Sequence, residues 1–102
     1  MLADLVQLDD AAFRKIFAKT AVKRTGRDRF IRNVLIAIGN SGDTALAPSA
    51  ERLLSDASPL VRGAAVWALG RLDPSRAAKL APAHAGDADP AVAEEWAAAV
   101  HT

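Results

Sequence analysis

Eight of the thirteen basic residues lie between Arg14 and Arg32: Arg14, Lys15, Lys19, Lys23, Arg24, Arg27, Arg29 and Arg32. Asp28 is the one acid among them, so this segment carries +7 within a chain whose total is +1. Charge gathered in this way suits contacts to phosphate, which position a nucleic acid without reading its sequence. Neutralising about three to five phosphates would give a log–log salt slope of roughly −2 to −5. The candidates for such contacts are Lys19, Lys23, Arg24, Arg27, Arg29 and Arg32. The same array fits two plainer roles, a solvated basic face or a set of arginines paired to a neighbouring domain.

Other chemistry is thinner. Trp67 could offer a platform on which a base stacks, although packing between stacked repeats is the plainer explanation of it and of Ile36. The turn Gly39–Asp43 (GNSGD) could direct backbone N–H groups at a phosphate, but it has neither the lysine nor the length of a P-loop. Its plainer reading is a helix-ending glycine followed by a tight turn. His84 and His101 have no partner at metal-ligand spacing and read as surface histidines. The chain has no cysteine, which excludes disulfides, thiolate catalysis and iron–sulfur ligation by its own side chains. The segment Asp87–Glu95 holds four acids and no base, and it reads as an acidic helix start. No catalytic residue and no metal ligand emerge, so no enzyme activity is expected of this chain alone.

The elements that must carry these residues are helices. Hydrophobic residues make up 51% of the 102 residues, much of that alanine, and only five residues are aromatic. Alanine favours helices and is depleted in strands, so an all-α domain is expected. Residues 1–8 read as an apolar lead-in, and 9–102 as the domain. Asp9 or Asp10 caps a first helix over about 10–19, with Phe13, Ile16 and Phe17 at i, i+3, i+4 spacing. Thr20–Gly26 reads as a basic loop. A second helix over about 27–38 places Phe30, Ile31, Val34, Leu35, Ala37 and Ile38 on one side, opposite Arg29, Arg32 and Asn33. Gly39 is expected as its left-handed stop. Asp43 or Thr44 opens a third helix over about 45–55. Ser58-Pro59 opens a fourth, about 59–69, ending at Gly70. A weak fifth spans about 74–81, limited by Pro82, and a sixth about 90–100.

A period of 31 residues runs through this series. It relates Gly39 to Gly70, Asp56 to Asp87, Pro59 to Pro90 and Val61 to Val92. Ala37, Ala68 and Ala99 are identical at the same offset. Such repetition describes stacked helix pairs, about three of them, which is near the minimum for a helical solenoid. In solenoids the second helix of each pair commonly lines the concave surface, which would put Arg29 and Arg32 there.

The segment Asp56–Leu72 (DASPLVRGAAVWALGRL) resembles the HEAT-like repeat consensus at Val61, Arg62, Ala65, Ala68 and Leu69. Adding Ala12-Phe13, Phe17 and Lys23–Asp43 (KRTGRDRFIRNVLIAIGNSGD), the chain resembles the C-terminal HEAT-like domain of epoxyqueuosine reductase. The carrying residues cover 12–70. The resemblance implies an accessory domain that helps hold a transfer-RNA anticodon stem-loop on a basic surface, with the reduction of epoxyqueuosine to queuosine done by upstream domains. That family's cofactors, cobalamin and two 4Fe–4S clusters, would sit in those upstream domains, and none is implied for this chain. Residues 1–8, as an apolar segment without a partner, favour a fragment of a longer enzyme over a stand-alone relative. RNA thus becomes the expected partner of Lys19 to Arg32 and of Trp67. The alternative is a HEAT-like module for protein–protein contact or scaffolding, and a weaker one is a bilin lyase-type HEAT protein. No run approaches the roughly 20 apolar residues that span a bilayer, and no signal-peptide pattern opens the sequence. A cytoplasmic location is expected.

Overall fold

Three of the helix starts follow from side chains that the chain places just ahead of them. Ser58 Oγ accepts from Val61 N at 3.4 Å, with Pro59 at the first helical position. Asp89 Oδ1 accepts from Ala91 N at 2.9 Å and Val92 N at 3.4 Å. Asp43 Oδ1 accepts from Ala45 N at 3.0 Å. Each cap satisfies a backbone donor that the first turn leaves free and stabilises its helix by about 1 kcal/mol.

The computed structural model describes residues 24–84 and 86–100. They form α1 (Arg24–Ser41), a 3-10 turn (Thr44–Leu46), α2 (Ala47–Glu51), α3 (Pro59–Leu72), α4 (Pro74–His84) and α5 (Pro90–Val100), with no strand among the described residues. The all-α repeat architecture is therefore as expected. The lead-in and the helix expected over 10–19 lie outside the described residues. Helix α3 packs against α1 on one side and α5 on the other, and touches α2 and α4 as well. The thinnest dimension is 16 Å, the depth of two helices packed about 8–10 Å apart. One layer is α1, α3 and α5; the other is α2 and α4.

The core runs between these layers. Ile31, Leu35 and Ile38 of α1 are fully buried, as are Val61, Ala65, Val66, Ala68 and Leu69 of α3. Val92 and Trp96 extend the core into α5, and Leu53 and Leu54 close it below α2. Burying each of the large aliphatic side chains is worth about 1.5–3 kcal/mol. Ala37, expected on this side, is exposed, whereas its repeat mate Ala68 is buried.

Several boundaries differ from the sequence expectation, each for a local reason. Arg24, Thr25 and Gly26 are helical, so at least that part of the expected basic loop belongs to α1. Gly39 is inside the helix; the left-handed residue is Gly42, with φ of 69°. Ser41 closes the helix, its Oγ donating to Ile38 O at 2.6 Å and accepting from Asp43 N at 3.1 Å. Gly70 is also helical, and α3 continues to Leu72. The expected third helix is a 3-10 turn and the short α2. After Glu51 the chain tightens into i→i−3 bonds, Leu53 N to Ala50 O at 3.0 Å and Leu54 N to Glu51 O at 3.2 Å. That tightening buries both Leu53 and Leu54. Pro82 lies inside α4 and does not end it. It removes one donor only, on an exposed stretch near the helix end, where water can serve the carbonyl of Ala78.

Candidate functional site

The basic residues of α1 divide by burial. Arg27 is 9% exposed and donates through both terminal nitrogens to Asp56 Oδ1 and Oδ2, at 3.1 Å each. It also donates to Asp28 Oδ1 at 3.1 Å. A bidentate pair of this kind is geometrically specific and holds the loop before α3 against α1. Arg27 is thus a buried clamp, where the sequence had suggested a surface contact. Arg29, two residues on, is exposed. Arg32 is half-buried and donates through Nη2 to Asn33 Oδ1 at 3.1 Å. Its Nε is shielded from water and has no hydrogen-bond partner. An unmet buried donor of this sort costs about 1–3 kcal/mol. Arg24 is the first described residue of α1, and Lys19 and Lys23 lie outside the described residues.

Arg29, Asn33, Ile36 and Asn40 are all exposed, and their spacing of four, three and four residues draws one stripe along α1. Beside that stripe runs an open groove of about 440 Å³. Arg32, Ile36 and Asn40 of α1 form one wall, Leu60, Gly63 and Trp67 of α3 the floor, and Val92 and Glu95 of α5 the other wall. No lining residue comes from α2 or α4, so the groove opens on the α1/α3/α5 layer. Ile36 and Leu60 are the large hydrophobic side chains left exposed among the described residues, at 38% and 41%.

Trp67 is fixed within this groove. A methyl group built on Gly39 would come within 2.5 Å of the indole Cζ3, so the absence of a side chain at Gly39 is what admits the ring. The guanidinium of Arg71, one turn along α3, lies 5.3 Å from the ring centroid and donates Nε–H to Gly39 O at 3.2 Å. Trp67 is thus both helix packing and groove lining. Of the sequence candidates, Arg32 and Trp67 come together in one groove. Sequence reasoning missed Leu60, Glu95 and Arg71. The i, i+4 spacing of Trp67 and Arg71 was a readable signal for the last.

The second arginine clamp lies one repeat on. Arg62 donates Nε–H and Nη2–H to Asp87 Oδ2 and Oδ1 at 2.9 and 3.1 Å. Its Nη1 donates to Asp56 O at 2.9 Å and Ala57 O at 3.2 Å. Donation from Arg62, helped by the backbone N–H of Asp89, holds the Asp87 carboxyl below the usual carboxylate range. In the outer layer Arg76 of α4 donates to Glu51 of α2 at 2.6 and 3.2 Å and likewise lowers the Glu51 carboxyl. The acidic segment is therefore partly structural: Asp87 takes the clamp and Asp89 caps α5. His84 is not a plain surface histidine, since its ring stacks on Trp96 with centroids 5.0 Å apart. His101 lies outside the described residues. In the GNSGD turn the Asp43 N–H is spent on Ser41 Oγ, and the Asp43 carboxylate accepts from Ala45 N, which puts an acid where a phosphate would have to sit. Among the described residues no group of three His, Asp or Glu side chains could hold a metal ion. No described helix is long and apolar enough to cross a membrane.

Comparison with known proteins gives a family-level answer. The family described as HEAT repeats matches residues 18–100. The epoxyqueuosine reductase of Alicycliphilus denitrificans is 33% identical over 78 residues, 69% of this chain and 22% of that protein. The epoxyqueuosine reductase of Bacillus subtilis is 28% identical over 82 residues, 78% of this chain and 21% of that protein. An uncharacterized protein in the gldA 3′ region of Geobacillus stearothermophilus is 31% identical over 72 residues, 70% of this chain and 33% of that protein. The chain therefore spans between about a fifth and a third of the length of these relatives. No solved structure matches significantly.

Proposed function

Because this chain belongs to the HEAT-repeat family, we propose that it serves as the accessory helical domain of an epoxyqueuosine reductase-type enzyme and helps hold a transfer-RNA anticodon stem-loop. The observation that carries this reading is the match to two epoxyqueuosine reductases across 69% and 78% of the chain. The exposed Arg29 and half-buried Arg32, set one turn apart on α1, support an electrostatic mode of contact with phosphate. Lys19, Lys23 and Arg24 extend the basic sequence ahead of them, and Arg27 drops out because its guanidinium is committed to Asp56 and Asp28. In this proposal residues 9–102 form the domain, and 1–8 meet the upstream catalytic domains. Those domains, an oxidoreductase, would carry cobalamin and the two 4Fe–4S clusters. The setting is cytoplasmic.

The test is a titration of the 102-residue chain with a labelled anticodon stem-loop at two salt concentrations, repeated with Arg29→Glu and Arg32→Glu. The expected result is a salt slope of roughly −2 to −5 and a marked loss of affinity on charge reversal. Salt-insensitive binding, or indifference to the reversal, would sink the RNA reading. The exposed Ile36 and Leu60 favour a second reading, a scaffold for protein contact. It predicts a salt-insensitive affinity for the enzyme's own catalytic domain and none for RNA.

A further inference from the structure

The face that α1, α3 and α5 present together changes charge from one flank to the other. The 31-residue period lines the change up. Arg32, Gly63 and Glu94 stand at one position of that period, and Asn33, Ala64 and Glu95 at the next. Ile36 and Trp67 share a third. Equivalent positions of stacked repeats lie at about the same height on neighbouring helices. The face is therefore cationic along α1, at Arg29 and Arg32, apolar or small along α3, and anionic along α5, at Glu94 and Glu95. Arg29 and Glu94 are exposed, and Arg32 and Glu95 are half-buried. Among the described residues none of these four forms an ion pair, unlike the arginines of the clamps. The two flanks cannot satisfy each other within one molecule, because α3 lies between them and sets them about 16–20 Å apart.

A face of this kind complements itself. Turning a second copy by a half-rotation about an axis parallel to α3 lays its α1 over α5 and its α5 over α1, at matching heights. Helix α3 then meets α3. There Leu60, 41% exposed, and Trp67 supply apolar contact, while the small Gly63 and Ala64 let the backbones come close. A rotation that laid α1 on α1 would set like charges together instead.

We infer that two copies of the chain associate through this face, as a two-fold dimer in which Arg29 and Arg32 of each copy pair with Glu94 and Glu95 of the other. The face extends about 18 Å along the helices and about 28 Å across them, on the order of 500 Å² per copy. That is the low end for a specific interface, so a reversible dimer is expected, with a dissociation constant on the order of 10–100 μM. Self-association covers Arg29 and Arg32 and so competes with RNA for them. It does not rest on the RNA reading, and its test uses no RNA.

The test is sedimentation equilibrium of the 102-residue chain at concentrations on either side of that constant. Two double variants reverse one flank each: Arg29→Glu with Arg32→Glu, and Glu94→Arg with Glu95→Arg. Each alone sets like charges across the interface and should weaken self-association by more than about tenfold. An equimolar mixture of the two should restore a dimer, because a chain with two acidic flanks complements a chain with two basic ones. Leu60→Asp acts at an exposed position beside the two-fold axis, where it meets its own copy. It should be monomeric while melting as the wild type does, and it decides the matter if a charge reversal fails to fold. A wild-type chain that stays monomeric throughout overturns the inference. So does a dimer that survives the reversals or Leu60→Asp, or one that the mixture does not restore.

Discussion

The chain has two junctions between repeats, α1 to α3 and α3 to α5, and they are built from the same parts in different register. Each has a loop of the form Asp-Ala-Ser/Asp-Pro, at 56–59 and 87–90. In each, the first aspartate accepts a backbone N–H two residues on, at 3.0 Å in one loop and 2.9 Å in the other. In each, that aspartate also takes a bidentate arginine from the preceding helix of the same layer. The arginines, however, are Arg27 and Arg62, four residues or about one helical turn away from the 31-residue period. The residue that the period assigns opposite Arg62 is Ile31, which is fully buried in the core. The two junctions therefore preserve the ion pair and not its sequence position. A long, forked side chain can reach a fixed carboxylate from either of two neighbouring turns, whereas a core residue has no such freedom.

Removing the clamps tests that equivalence most strongly. Arg27→Ala strands Asp56, whose side chain is 13% exposed, and is expected to cost about 3 kcal/mol in urea unfolding. Arg62→Ala is expected to cost about 2 kcal/mol, because the Arg62 side chain is the more exposed of the two arginines, at 19% against 10% for Arg27. If Arg27→Ala were neutral, the first junction would not be a clamp at all, and Arg27 would return to the surface candidates.

A smaller contrast comes from the glycines 31 residues apart. At Gly39 an added methyl meets the Trp67 ring at 2.5 Å, and at Gly70 it meets Ala99 Cβ at 3.1 Å. Gly39→Ala should lower stability by about 2 kcal/mol by displacing Trp67. Gly70→Ala should change it by less than about 1 kcal/mol, since the helix-propensity gain offsets a slight overlap. Thermal unfolding of the two variants side by side would show whether the first junction is the tighter one.

The smallest effect concerns acid. Asp87 has its carboxyl depressed by Arg62, so its contribution is fully present above the unfolded carboxylate value of about 3.9 and is lost as pH falls through its lower folded value. Asp87→Asn should be less stable than wild type at neutral pH and should lose less on acidification from about pH 5 downward. Parallel acid profiles for the two proteins would remove Asp87 from the account.

What the sequence revealed, and what it hid, follows the range of the interactions involved. Ser58 was legible as a cap, and Asp43 as one of two candidates with Thr44, because a cap acts within three residues of itself. The all-α repeat and its period were legible because apolar spacing, the aspartates at 56 and 87 and the prolines at 59 and 90 recur at one offset. Gly39 and Gly70 looked like helix stops, as a glycine after an apolar run usually is. Their actual role depends on Trp67 and Ala99, each nearly a full repeat away. Arg27 looked like one more cation in a basic run for the same reason, since Asp56 lies 29 residues beyond it. In the site, Arg32 and Trp67 were readable as separate candidates. The groove that joins them, and the parts played by Leu60 and Glu95, exist only once three helices are packed side by side.

Arg62 reaches forward to Asp87 and back to the carbonyls of Asp56 and Ala57, on a helix that touches all four of the other described helices. Long solenoids fray one unit at a time, because each unit leans only on its neighbours. Here the middle unit is neighbour to everything. Peeling away either end would strip α3 of one side of its packing, so the described repeats have no seam along which to divide and should melt as a single cooperative unit.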